Sequence, residues 1–166
     1  MVKLIAAKYH LDEKNCVIAA LLHDCGREIA VNESVDFAVQ HGLKPNKIEQ
    51  CQPILLHAKI GEYLAKTKYG IYDKEILEAI LYHSTGGKNM STVAMAVYIA
   101  DMLEESRDFA GVDELRQSVG SLTLQQLMIK CLTSTVSYLL ATGGLIHLDS
   151  IKAYNNLISA EACPVV

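Results

Sequence analysis

The chain has 166 residues, of which 51% are hydrophobic, and this is enough material for one domain with a single buried core. Its formal net charge of −4 argues against a general nucleic-acid-binding protein, which needs a basic surface. The hydrophobic runs are too short to span a membrane and the N-terminus lacks a secretory signal pattern, so we predict a cytoplasmic protein with neither a membrane nor a nucleic acid as partner.

Apolar residues recur at helical spacing along nearly the whole chain, whereas strand-like alternation is scarce, and this predicts an all-α fold. No helix is predicted in the polar stretch from Pro45 to Pro53. The pattern predicts helices in the first half over 2–10, over 15–29 behind the cap Asp12, from the cap Asn32 to Gly42, over 54–70, and from the cap Asp73 to residue 83.

In the second half of the chain, the apolar pattern predicts a buried central helix that starts at Ser91, followed by helices over 111–120 and 122–141. A last helix is expected from the cap Asp149 to residue 160. No linker, repeat or charge block divides the chain, so we expect one domain over 1–160 and a tail over 161–166. The apolar helix over 122–141 either packs inside the monomer, which is the simpler use, or leaves a face for a homodimer partner.

The five cysteines are odd in number and include no CxxC pair, which argues against a disulfide framework and against a thiolate zinc site. We therefore predict reduced and mostly buried thiols. Cys25 lies beside chemically interesting residues, but it is more typical of a small core residue than of a nucleophile. It is given no catalytic role.

His23 and Asp24 are adjacent near the end of a predicted helix, where both side chains can lean toward one interior point. Imidazole and carboxylate are ligands of divalent metals, and a carboxylate with two oxygens can bridge two ions. Asp24 is therefore the candidate bridge. The dipeptide alone is a weak signal, because it arises often by chance.

Three further residues strengthen this signal. His57 and His83 are each expected late in an amphipathic helical stretch, and Asp101 interrupts an otherwise apolar helix. A buried carboxylate must be paired or ligated, because desolvating an unpaired charge costs several kcal/mol. Asp101 alternatively pairs with Arg107 or is exposed, and each histidine taken singly is more often structural. The joint pattern favours a metal site.

In this order the residues resemble the signature of the HD-domain phosphohydrolases, which is H, HD, H, H and D, with its last five positions present. The chain is most similar to the YqeK-type branch of that family. The similarity rests on the strings LLHDCGRE, LLHAKIGEYLAKTKYGI, ILEAILYHSTGG, ADMLEESRDFAGVDELR and GGLIHLDSIKAYNNLI, which cover essentially the whole chain.

The resemblance implies a compact helical bundle with the activity of a symmetrical diadenosine tetraphosphatase, which cleaves its substrate into two nucleoside diphosphates with an iron pair. Older descriptions of the branch refer to NAD metabolism. By resemblance, His23, Asp24 and Asp101 hold one metal, and Asp24, His57 and His83 hold the second. Manganese, nickel, cobalt and zinc accept the same ligand types. The residues implied in phosphate binding are Ser84, Thr85, Gly86, Lys88 and Arg107.

Two departures from the family pattern stand out. The alignment places the family's first histidine before Met1, so we expect a first helix truncated at its N-terminus, and His10 lies in a predicted turn from which it does not substitute. Arg27 stands where the family usually has lysine. A guanidinium forks onto phosphate or carboxylate, so Arg27 is a catalytic candidate beside Asp24, or it merely complements a helix dipole.

These residue types predict a mechanism in which two ions activate water and neutralise phosphoryl oxygens, within a positive field from Arg27, Lys88 and Arg107. The glycines of HSTGGKN either approach phosphate through backbone N–H groups or form a plain turn after a helix. No base-stacking residue is identifiable. Alternative functions are a non-catalytic nucleotide-binding module and an HD phosphohydrolase acting on another nucleotide.

Overall fold

The computed structural model describes residues 1–162 of the chain, which contain ten α-helices and no strand, so the all-α prediction is confirmed. Two short 3₁₀ turns, Cys25–Glu28 and Pro53–Leu55, precede α3 and α5. The helices are α1 (Val2–Lys8), α2 (Glu13–Leu22), α3 (Ser34–Gln40), α4 (Lys47–Cys51), α5 (Leu56–Thr67), α6 (Lys74–Tyr82), α7 (Thr92–Met102), α8 (Val112–Gln117), α9 (Leu124–Thr142) and α10 (Leu148–Ala162).

Helix α7 is the centre of the main core, as its apolar sequence predicts. Every residue from Val93 to Ala100 is buried, and the helix packs against α1, α2, α6 and α9. A helix that is apolar on all sides can be stable in water only when it is surrounded in this way. A smaller cluster around Leu56 and Ile60 joins α3 to α5.

Helix starts follow the capping residues in three of five predicted cases. The side chains of Asp12, Asp73 and Ser91 accept hydrogen bonds from the first free backbone N–H groups of α2, α6 and α7. Two predicted caps are wrong. Helix α3 begins after Glu33 rather than Asn32, without a side-chain cap, and Asp149 lies inside the first turn of α10.

The chain between Pro45 and Pro53 is more regular than expected. Helix α4 forms there because Asn46 and Glu49 make a reciprocal capping box. The predicted helix over 15–29 is instead shorter, since α2 ends at Leu22 and the Cys25–Glu28 turn folds onto α5. His23 and Asp24 therefore lie at a break in the helix and not within its last turns.

Helix α9 has two different halves. Its buried residues all lie between Leu124 and Leu132, whereas the residues from 133 to 142 are intermediate or exposed. The first half is thus used inside the monomer, which was the simpler of the two predicted uses. Within residues 1–162, every helix is too short or too polar to cross a lipid bilayer.

Candidate metal centre and adjoining cavity

The five predicted metal ligands come together from four helices. His23 follows the last residue of α2 and Asp24 comes next, while His83 follows the last residue of α6. Asp101 lies in the last turn of α7, and His57 lies in the first turn of α5. The expectation that His57 comes late in a helix is therefore wrong, because a 3₁₀ turn separates the preceding residues from α5.

The carboxylate of Asp24 lies between two groups of imidazoles. Its Oδ1 is 3.3 Å from Nε2 of His57 and 3.5 Å from Nε2 of His83, and its Oδ2 is 3.6 Å from Nε2 of His23. His23 Nε2 is in turn 3.7 Å from Oδ1 of Asp101. Ligands of one divalent ion at about 2.0–2.2 Å lie roughly 3–3.5 Å from one another, so these separations fit metal binding.

The three histidines are held in one tautomer by the backbone. Nδ1 of each ring donates a hydrogen bond to the carbonyl three residues earlier, at 2.7 Å for His23, 2.5 Å for His57 and 2.8 Å for His83. A carbonyl oxygen can only accept, so the proton of each neutral ring is on Nδ1. Nε2 is then free to bind a metal, in the orientation that metal-ligating histidines usually have.

The Nε2 atoms of His57 and His83 are 2.8 Å apart, which places two lone pairs against each other unless a proton or a cation lies between them. Both rings are buried. Burial, together with the neighbouring His83, lowers the pKa of His57 to about 4. A proton is therefore disfavoured near neutral pH, and the donor set fits a divalent cation.

The two carboxylates are ionised acceptors near neutral pH. Burial raises the pKa of Asp24, but the neighbouring His83 and Arg27 side chains outweigh it and hold the pKa well below its usual range. For Asp101, burial is likewise outweighed by His23 and Arg107, and the pKa falls to about 2. Oδ1 of Asp24 is buried without a hydrogen bond of good geometry, although Nε of Arg27 is 2.6 Å away.

Asp101 pairs with Arg107 and also lies beside the histidine cluster. Nη2 of Arg107 is 2.9 Å from Oδ1 of Asp101, and Nε of Arg107 donates to the Asp101 carbonyl at 3.2 Å. The same carboxylate oxygen also faces His23. The ion pair with Arg107 and the place beside the histidines are therefore not exclusive.

A cavity of about 810 Å³ opens directly beside this cluster. Arg27, His57, His83 and Asp101 line its inner end, and Ser84 adds a buried hydroxyl that has no hydrogen-bond partner among the described residues. The rest of the wall comes from Tyr98 and Met102 of α7, from the segment after α7 and from the second half of α9. A volume of this size is typical of small-molecule sites.

Not all of the predicted phosphate-binding residues line this cavity. Ser84 and Arg107 do, but Thr85 and Gly86 are buried and Lys88 is exposed outside the lining. A Cβ on Gly86 would lie 3.1 Å from Ala153, so this glycine faces α10. The Gly86 amide donates to the Tyr82 carbonyl at 2.8 Å, and the segment therefore has the contacts of a turn that ends α6.

The sequence did not reveal how closely the Cys25–Glu28 turn approaches α5. A Cβ on Gly26 would lie 2.0 Å from the carbonyl oxygen of His57 and 2.6 Å from the amide nitrogen of Gly61. Only a residue without a side chain fits there, and the contact brings Asp24 next to His57. Cys25 donates its thiol to the Gly61 carbonyl, and burial raises its pKa to about 11, as expected for an inert thiol.

His10 is exposed, in the turn between α1 and α2, with a φ of 54°. It is not part of the cluster of potential ligands found within residues 1–162. The prediction that His10 does not replace the family's first histidine agrees with this position.

An all-helical fold with adjacent His and Asp and three more candidate ligands in fixed order is typical of an HD-type hydrolase, and the model of the HD domain family matches residues 1–106. The chain belongs to this family. It is 31% identical to the symmetrical bis(5'-nucleosyl)-tetraphosphatase of Bacillus subtilis over 157 residues, which are 95% of this chain and 83% of that protein. The enzyme of the same name from Halalkalibacterium halodurans is 31% identical over 93% of this chain and 81% of its own length.

A crystal structure from Clostridium acetobutylicum is similar over 95% of this chain and 83% of its own, with a TM-score of 0.88 and 34% identity. That protein is described as a predicted HD superfamily hydrolase involved in NAD metabolism. The similarity to the branch of symmetrical tetraphosphatases is confirmed by these relatives, and so is the assignment to the metal-dependent HD hydrolases.

Proposed function

We propose that this chain hydrolyses diadenosine tetraphosphate symmetrically, so that water adds to one of the two central phosphorus atoms. The bond from that phosphorus to the central bridging oxygen breaks, and both products are ADP. The observation that carries the proposal is the Asp24 carboxylate, whose oxygens face His57 and His83 on one side and His23 on the other. The relatives named above support the substrate.

Two divalent ions fit the donor set in the proposed arrangement. His23, Asp24 and Asp101 would hold one ion, and Asp24, His57 and His83 would hold the other. The ions, when bound, act as Lewis acids that activate water and neutralise the phosphoryl oxygens. Iron is the proposed metal by resemblance, and manganese, nickel, cobalt or zinc suit the same ligands.

The polypeptide itself binds and orients the tetraphosphate. Arg27 and Arg107 place two guanidinium groups at the cavity end where the cluster lies, and each can fork onto a phosphate. The free hydroxyl of Ser84 can donate to the same group. Thr85, Gly86 and Lys88 remain predictions from the family resemblance, and their positions outside the cavity lining do not support direct contact.

A free nucleotide is the proposed partner, in preference to a nucleic acid, because the net charge is −4 and the cavity lining includes the two cationic side chains of Arg27 and Arg107. We propose a cytoplasmic location as well, supported by four cysteines that are free thiols.

The proposal is tested with metal-loaded protein and diadenosine tetraphosphate, with the products separated by anion-exchange chromatography. ADP is expected as the sole nucleotide product, and equal amounts of ATP and AMP would contradict symmetric cleavage. Protein that binds two metals per chain but turns over no dinucleoside polyphosphate would favour the nucleotide-binding module instead.

Asp24→Asn provides the sharpest variant, because an amide is a poor bridge between two cations. We expect the turnover rate to fall at least a hundredfold, since even indirect partners of metal ligands are worth about 10–100-fold. Metal content per chain should fall with it. Asp36→Asn is the matched control, since this exposed residue of α3 lies outside the cluster, and it should leave both quantities unchanged.

A further inference from the structure

The cavity beside the metal cluster continues far beyond the residues that the proposed chemistry uses. Its outer wall is formed by Ser134, Ser137, Tyr138 and Ala141, which lie on one face of the second half of α9 at helical spacing. No residue between 133 and 142 is buried, so packing in the core does not explain this side of the helix. The wall needs another explanation.

Tyr138 differs from the other aromatic residues that line the cavity. Tyr98 is buried, and its hydroxyl lies 3.3 Å from that of Thr135. Phe109 packs against the main core. Tyr138, in contrast, is 67% exposed and lines the cavity. Its ring is therefore the aromatic surface most available to a ligand.

The cavity lining contains both positively and negatively charged side chains. Arg27 and Arg107 suit phosphate, whereas Asp108 would repel a phosphate and can accept hydrogen bonds from ribose hydroxyls or a base amino group. Ser134 and Ser137 add neutral hydroxyls. A ligand with an anionic part at the metal cluster and an uncharged, flat part along α9 matches this lining.

We propose that the second half of α9 is a nucleoside-binding wall, on which the ring of Tyr138 stacks against one base of the substrate. The occupant is the nucleoside part of a nucleoside diphosphate unit whose phosphates reach the metal cluster through the same continuous cavity. This inference rests on the proposed function for the orientation of the substrate, but binding of a nucleoside diphosphate can be measured without any turnover.

The test is calorimetric titration of metal-loaded protein with ADP and, separately, with pyrophosphate, which has the phosphates but no base. Tyr138→Ala should weaken ADP binding roughly tenfold, because stacking on an aromatic ring contributes that much per base, and should leave pyrophosphate binding unchanged. Tyr138→Phe keeps the ring and should bind ADP within about twofold of the original protein. Tyr72→Ala, which removes a 77% exposed tyrosine outside the cavity lining, is the matched control.

Equal affinity of Tyr138→Ala and the original protein for ADP would overturn the proposal. So would loss of a dimer in gel filtration with no change in ADP affinity, because this face would then be an interface between copies. If the original protein fails to cleave diadenosine tetraphosphate while Tyr138→Ala still loses ADP binding selectively, the proposed reaction is wrong and the nucleoside wall stands. If cleavage occurs, Tyr138→Ala should raise KM roughly tenfold with kcat nearly unchanged.

Discussion

Replacing Gly26 by alanine should disable the proposed metal centre without changing any of its candidate ligands. The added Cβ would lie 2.0 Å from the His57 carbonyl oxygen and 2.6 Å from the Gly61 amide nitrogen, and both of these are backbone atoms of α5. Real Cβ contacts essentially never fall below 3.0 Å, so the Cys25–Glu28 turn and α5 must separate by about 1 Å.

That separation acts directly on the proposed bridge. Asp24 precedes the turn and His57 belongs to α5, and their ligand atoms are now 3.3 Å apart. With an extra 1 Å, the separation of these two atoms would exceed the roughly 3–3.5 Å at which two ligands share one ion. Misplacement of this size costs about 10²-fold in rate, and overpacking costs about 1–3 kcal/mol of unfolding free energy.

Three measurements separate the loss of activity from the loss of stability. The hydrolysis rate and the metal content per chain are determined well below the melting temperature, and the free energy of unfolding is obtained from urea titration. Gly42→Ala is the control, because its φ of +73° adds about 1 kcal/mol of strain while nothing lies within 4 Å of the new Cβ. If Gly26→Ala retains full metal content and full activity, the argument that this contact positions Asp24 is refuted.

Three further predictions concern other contacts. A chelator should lower the melting temperature by roughly 5–10 °C, because metal ions at a free concentration of 100 times their Kd add about 2.7 kcal/mol of stability. The chelator should lower the melting temperature of His83→Ala by a smaller amount. Arg116→Ala should cost about 1–3 kcal/mol in urea unfolding and also raise KM, since Arg116 holds the segment carrying Arg107 through the Leu103, Glu104 and Arg107 carbonyls. Arg107→Ala should raise KM with a smaller loss of stability, because Arg107 has fewer hydrogen bonds to backbone carbonyls. Finally, the neighbouring His147 and Lys59 side chains outweigh burial and lower the pKa of Glu49 to about 2. Glu49 therefore contributes on the order of 2–3 kcal/mol of stability above its unfolded pKa near 4.3, and this contribution is lost as pH falls toward 2. Urea unfolding of Glu49→Gln and the original protein should differ at pH 7 and converge at low pH.

The five candidate metal ligands could be proposed from the sequence because their order along the chain and their residue types form a recognisable pattern. Buried carboxylates and histidines among apolar residues are chemically costly, so Asp101 and His83 stand out in the sequence itself. The close approach of Gly26 to α5 could not be predicted in this way. It depends on a distance between segments about thirty residues apart, and glycine has many other uses.

The predicted phosphate-binding residues also show that the sequence alone does not give the direction in which a segment faces. Thr85 and Gly86 follow His83 directly, so their position in the chain indicates the site, but the turn that ends α6 directs them toward α9 and α10. The periodicity of α9 likewise predicts a helix without indicating that its second half leaves the core. Tertiary packing decides both the direction of this turn and the exposure of the second half of α9, and the local sequence pattern does not predict it.

The position of the histidines at helix ends explains why their tautomers are so well defined. Ala20 and Ile80 lie in the last turns of α2 and α6, where carbonyl groups have no partner further along the helix. His23 and His83 come directly after these ends, and each Nδ1 donates to one of those carbonyls. One bond therefore satisfies a buried acceptor and turns Nε2 toward Asp24. A continuous helix through His23, as the periodicity predicts, would use the Ala20 carbonyl for its own backbone. The break that the sequence did not reveal is therefore what turns Nε2 of this histidine toward the proposed metal site.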